Sequence, residues 1–129
     1  MNQRLMNALA KVVGDYLPGK GIISYEAASE MLGKKDSKKI ENNTYLVKTQ
    51  DGFGIKLHNT IVVKILPHGL FSLHTGGYFT NTTKDRINNY APVNIYSEKG
   101  DWYFGGRDKK TRILFSDGII VDTKGDVVG

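Results

Sequence analysis

Thr44-Tyr45-Leu46-Val47-Lys48-Thr49, Gly54-Ile55-Lys56-Leu57-His58, Thr60-Ile61-Val62-Val63-Lys64-Ile65-Leu66 and Leu70-Phe71-Ser72-Leu73-His74 decide how this chain folds. Each run alternates or clusters β-branched and aromatic residues, the pattern of a strand with one face against a core. Asp51-Gly52 and Pro67-His68-Gly69 separate them with residues that suit tight turns. Period-two runs resume at Val93–Ser97, Trp102–Phe104, Arg112–Ser116 and Gly118–Asp122. Their connections are Lys99-Gly100-Asp101, a Gly105–Thr111 loop and Asp117-Gly118. One short helix interrupts the series: Thr82 or Thr83 is its expected cap, Ile87, Tyr90 and Ala91 share a face, and Pro92 stops it.

Upstream the period is helical. Leu5, Met6, Leu9, Val12, Val13 and Tyr16 predict an amphipathic helix over residues 2–16, ended by Pro18-Gly19-Lys20-Gly21. Ser24 caps a second helix that runs through Ala27, Ala28, Met31 and Leu32 to Gly33. Lys34–Asn43 is charged and polar and reads as a loop. The expected fold class is α+β: N-terminal helices followed by a mostly antiparallel β-sheet interrupted by one short helix. At 129 residues the chain is expected to form a single domain, with a helical region at 1–43 and a β-rich, ligand-binding region at 44–129.

Composition narrows the chemistry. Apolar residues make up 40% and charged residues 24%, as in ordinary globular domains. Cysteine is absent, which excludes disulfides, thiolate metal sites and cysteine nucleophiles. Apolar runs fall short of the ~18 residues a membrane span needs, and no signal-peptide pattern follows Met1, so a soluble protein of the cytosol is expected. The net charge of +5 favours anionic partners. Fourteen lysines accompany only four arginines, Arg4, Arg86, Arg107 and Arg112. Arginine is the planar fork suited to phosphate, so an anion site is expected in the last third of the chain.

Other candidate chemistries each have a plainer reading. Ile23–Gly33 has the look of the first helix of a helix-turn-helix, but Lys34-Lys35-Asp36-Ser37-Lys38-Lys39 lacks the apolar spacing of a recognition helix. A DNA-binding regulator is the alternative reading, and a helix packed on a sheet is the plainer one. His58, His68 and His74 stand too far apart for a zinc site. His58-Asn59-Thr60 matches one element of the two-histidine phosphoesterases, yet His74-Thr75-Gly76 places its hydroxyl one residue too early to be the second. Half-buried strand histidines are the plainer account. No phosphate-loop pattern is present, and no cofactor or metal is expected. Gly105-Gly106-Arg107 reads equally as an anion loop or as a solvated basic turn.

The densest stretch is Gly76–Tyr90, with two aromatics, two glycines and three threonines just ahead of a helix carrying Lys84, Arg86, Asn88 and Asn89. A ring to stack on a base, amides for base or ribose edges and cations at a helix end suit a nucleotide. The same residues also describe a capped helix whose Ile87 and Tyr90 plug a sheet.

Leu57-His58-Asn59-Thr60-Ile61-Val62, Gly76-Gly77-Tyr78-Phe79-Thr80, Thr82-Thr83-Lys84-Asp85-Arg86-Ile87-Asn88 and Asp101-Trp102-Tyr103 together resemble a small phage domain. Residues 57–103 are most similar to the first family of Thoeris anti-defence proteins. The resemblance implies a phage-encoded sponge that binds, without cleaving, cyclic ADP-ribose signals made by bacterial TIR-domain enzymes. It implies work in the cytoplasm of the bacterial host, and a homo-oligomer with its pocket between subunits that also holds cyclic di- or trinucleotides. Carried over by position, the base-stacking aromatic falls on Phe79 and the ligand-binding asparagine on Asn89, with Asn88 adjacent. The phosphate contact falls on Arg107 or Arg112, and a ligand-facing histidine on His68 or His74. Neither a catalytic set nor specific nucleic-acid or membrane binding is implied.

Overall fold

The computed structural model describes residues 21–129, so the helix expected over 2–16 lies outside the described residues. Helix α1, Tyr25–Leu32, begins as read: the Ser24 side chain accepts the Ala27 N–H and Gly33 closes the C-terminus at φ 57°. Ala27, Ala28 and Leu32 form its buried face.

Five strands then run as an antiparallel meander: β1 Ser37–Glu41, β2 Thr44–Thr49, β3 Gly52–Leu57, β4 Thr60–Leu66 and β5 Leu70–Leu73. The turn at Pro67–Gly69 puts His68 in the left-handed region at φ 67°. Strand β1 corrects the loop expected over 34–43, within the region 1–43 expected to be helical. Among the described residues it is an edge strand paired with β2 alone, and Lys38 and Lys39 are exposed. An edge strand needs no apolar alternation, because ladder bonds to one neighbour hold it and its lysines deter further pairing.

Helix α2, Asn81–Tyr90, follows β5. Its N-cap is Thr80, whose hydroxyl accepts the Thr83 N–H, two or three residues earlier than expected. Ile87, Tyr90 and Ala91 are buried, as the spacing required. Strands β6 Tyr96–Glu98, β7 Asp101–Gly105 and β8 Arg112–Leu114 make a separate three-stranded sheet. Strand β9, Ile119–Val121, returns to pair with β5 and completes a six-stranded sheet in the order β1-β2-β3-β4-β5-β9. The architecture is α+β, with antiparallel pairing throughout both sheets.

One apolar cluster joins these layers. Leu46, Ile55, Val63, Ile65, Phe71 and Leu73 from the large sheet, Ile87 from α2, and Trp102, Phe104 and Phe115 from the small-sheet side belong to it. Val93 and Ile95 are also buried there, although they precede β6, and Asn88 holds the backbone of Ile95. The Asn88 amide donates to the Ile95 carbonyl at 2.9 Å and its side-chain oxygen accepts the Ile95 N–H at 2.7 Å. A side chain thus satisfies the backbone groups that a ladder would have taken.

Candidate functional site

A cleft of about 430 Å³ opens where three segments of the large sheet and α2 converge. The β3–β4 turn brings Leu57, His58, Asn59, Thr60 and Val62; the β5–α2 connection brings Thr75, Tyr78 and Thr80; the first turn of α2 brings Thr82 and Thr83. His58 takes φ 53°, which lets the two-residue turn close.

The β5–α2 connection is held in place by a clamp. Both carboxylate oxygens of Asp117 accept from Thr75, one from its backbone N–H and one from its hydroxyl at 2.9 Å. The Thr75 hydroxyl in turn accepts the Gly77 N–H at 3.0 Å. Gly76 sits at φ 63°, and a Cβ there would meet the Thr60 Cγ2 at 2.8 Å. Only glycine lets the connection lie this close to the start of β4. The Tyr78 ring then stands 64% exposed beside the cleft.

The polar lining is of neutral groups that can both donate and accept. The amides of Asn81 and Thr82, in the first turn of α2, have no intrahelical acceptor. Thr80 and Thr83 share one hydroxyl–hydroxyl bond at 3.1 Å, so one proton of the pair remains to be donated. Helix N-termini favour negative charge. Among the described residues, no Lys, Arg, Asp or Glu lines the cleft, and His58 is the single imidazole. Such a lining can bind an anion or a sugar edge through neutral groups and offers no paired acid and base. Among the described residues, no group of three His, Asp or Glu side chains is placed to hold a metal ion.

Nine expected contact residues lie outside this lining. Phe79 is 55% exposed and packs edge-on against Trp102, with centroids 4.9 Å apart, and against Phe115 at 6.4 Å. Lys84 sits 5.9 Å from the Trp102 ring and reaches the Ser97 hydroxyl. Asn88 is taken by Ile95, as described. Asn89 is half-buried, and its carbonyl accepts the Gly21 N–H. Arg86 is committed to the fold: it donates to the Thr44 hydroxyl and the Asn42 carbonyl, and pairs with Glu41 and Asp85. The Tyr90 hydroxyl donates to the same Glu41 at 2.7 Å, so α2 is pinned to the β1–β2 turn. Burial and Glu41 push the Tyr90 phenol well above its usual range.

His68 is exposed at its turn. His74 Nε2 is hydrogen-bonded to the Ser72 hydroxyl at 2.7 Å. Burial holds the His74 imidazole below its ordinary pKa, Lys64 reinforces the shift, and Asp117 opposes it. His74 is not among the residues that line the cleft with His58. Arg107 and Arg112 stack on Tyr96 and Tyr103 of the small sheet, 4.3 and 3.8 Å from the ring centroids. The helix-turn-helix reading loses its second member, since the chain after α1 enters β1.

The lining residues Tyr78, Asn59, Thr60, Thr80, Thr82 and Thr83 were not singled out as contacts from the sequence. A signal for them existed: nine of the ten lining residues fall in the segments that carry the Thoeris resemblance, Thr75 alone standing just outside. Neither the curated proteins nor the solved structures contain a match to the chain. A family model does match, over residues 22–122, described as Kyanoviridae Gp96 protein. That span takes in both sheets, both helices and every residue of the cleft, and the chain belongs to the Kyanoviridae Gp96 family of phage proteins.

Proposed function

We propose that the protein is a phage sponge that binds a nucleotide-type signal in the Tyr78–Thr83 cleft and holds it without cleavage. The observation that carries this reading is the composition of the cleft. An exposed ring stands beside a helix N-terminus lined with hydroxyls, and among the described residues no acid–base pair accompanies them. Small-molecule sites commonly occupy ~300–1,000 Å³ and combine apolar walls with a few polar groups. The cleft lies in that range, with Leu57 and Val62 among its walls. Tyr78 stacks on a base, and the α2 amides with Thr80, Thr82 and Thr83 take a phosphate.

The ligand class follows from the resemblance, whose segments line the cleft. The signal is of the cyclic ADP-ribose type made by bacterial TIR enzymes, and its sequestration blocks Thoeris defence. A second copy of the chain covers the open side and supplies the cations that the cleft lacks, so the working form is a homo-oligomer. Cyclic di- or trinucleotides are further candidates for the same role.

The test is titration of the full chain by calorimetry with a panel of cyclic ADP-ribose isomers and cyclic oligonucleotides. The complex is then denatured by heat and the released compound identified. Intact ligand is expected. A linear or hydrolysed product would return the protein to the phosphoesterases, and failure of every member of the panel to bind would end the sponge reading.

A further inference from the structure

The outer face of the small sheet carries a second constellation, separate from the cleft. Tyr96 on β6 and Tyr103 on β7 are register partners, with ring centroids 6.0 Å apart. The Arg107 guanidinium lies over the first ring and the Arg112 guanidinium over the second. Arg112 can fold over Tyr103 because its own register partner is Gly105, which presents no side chain. Leu114, the register partner of Tyr103, is 59% exposed on the same face. Two rings, each with a guanidinium over it, and one exposed apolar side chain therefore share one face of the small sheet.

The loop beside this surface is built rather than slack. The Tyr96 hydroxyl donates to the Gly106 carbonyl at 2.9 Å, and the Gly106 N–H donates to the Thr111 carbonyl. Asp108 accepts from the Lys110 N–H, the Thr111 N–H and the Thr111 hydroxyl. Those bonds engage the Asp108 carboxylate within the loop and hold it ionised, below its ordinary pKa. Arg107, Lys109 and Lys110 are exposed around it, and the ion pairs of the described residues leave these three without a carboxylate. Glu98, the nearby acid of β6, is paired with Arg112.

We propose that this face is a platform for single-stranded nucleic acid. Stacked ring–guanidinium pairs present flat π surfaces to which any unpaired base can add, and the three exposed cations lie where the backbone phosphates would pass. A duplex cannot use the rings, because its bases already stack on one another. The fixed loop lowers the ordering cost of binding. Recognition is by stacking and charge and is tolerant of sequence.

The experiment is fluorescence anisotropy of a labelled 12-nucleotide oligo(U) titrated with the full-length protein, in low and in physiological salt. Tyr103→Ala is expected to weaken binding about ten-fold or more, and Tyr103→Phe, which keeps the ring, to restore it. Lys109→Ala with Lys110→Ala is expected to reduce the salt dependence. Tyr78→Ala, in the cleft, is expected to leave oligonucleotide binding unchanged, so this reading and the sponge reading stand or fall separately. The proposal is overturned if Tyr103→Ala, shown folded by its melting curve, binds as the parent does. It is equally overturned if inorganic polyphosphate, which has no bases, or duplex RNA of the same length competes as well as the oligonucleotide.

Discussion

Replacing the two neighbouring rings one at a time separates stacking on a ligand from packing in the fold. Tyr78 and Phe79 are adjacent, similarly exposed at 64% and 55%, and differ in what they touch. Phe79 meets Trp102 and Phe115 edge-on. Each such aromatic pair is worth about 0.5–1.5 kcal/mol beyond area burial, the 6.4 Å contact falling at the weak end. Roughly half of a phenylalanine's burial adds about 1 kcal/mol. Phe79→Ala should therefore cost about 2–3 kcal/mol of stability. With ~2.1 cal/mol/K per residue, a chain of 129 residues unfolds with an entropy of about 0.27 kcal/mol/K, so the midpoint should fall by about 7–11 °C. No ring of the described residues packs on Tyr78, and Tyr78→Ala should move the midpoint by less than about 2 °C. Its effect belongs to the ligand: lost stacking of ~1–3 kcal/mol, or roughly one to two decades in Kd. The assay is a melting curve and a ligand titration on each variant. If Phe79→Ala melts like the parent and abolishes binding while Tyr78→Ala binds normally, the cleft assignment is wrong and the stacking ring is Phe79.

Three further outcomes follow from side chains with settled partners. Asn88→Ala strands the N–H and C=O of buried Ile95 and should cost about 2–4 kcal/mol by denaturant titration, with ligand affinity changed little once the protein is folded. Thr80→Ala removes the α2 N-cap and should cost about 1 kcal/mol; it should also weaken ligand binding, because the same turn lines the cleft. His74 has a folded pKa below its unfolded one, so the unfolded chain takes up a proton first as pH falls through the ordinary histidine range. Stability should therefore decline on acidification below about pH 6.5, with a shallower decline in His74→Gln; equal slopes in the two proteins would refute the assignment.

The Asp117–Thr75 clamp shows how the cleft depends on distant sequence. These residues are 42 positions apart, yet they set the path of the connection that presents Tyr78 and starts α2. β9 follows directly after Asp117 and pairs with β5, whose end leads into Thr75. The β5–β9 pairing thus brings Asp117 against the residues that lead into the cleft rim.

Local pattern was enough for the elements whose own residues supply the reason for them. The period-two runs from Thr44 to His74 became β2 to β5, and Ser24 and Gly33 bounded α1 as their capping chemistry requires. Ile87 and Tyr90 were legible as a buried face because i, i+3 spacing puts them on one side of any helix. Strand β1 was not legible, since Ser37, Lys38 and Lys39 are exposed and Ile40 is its single apolar residue, so its neighbour's hydrogen bonds hold it without an alternating signature. Nor could the sequence separate Asn88, Arg86 and Phe79, which serve the fold, from Tyr78 and the threonines, which line the cleft. Asparagine, arginine and aromatic side chains suit either task, and the partner that decides between them lies across the chain: Ile95 for Asn88, Glu41 and Thr44 for Arg86, Trp102 for Phe79. Residue types set what chemistry is available; long-range pairing, a property of the tertiary structure alone, determines which of those groups remain free to use it.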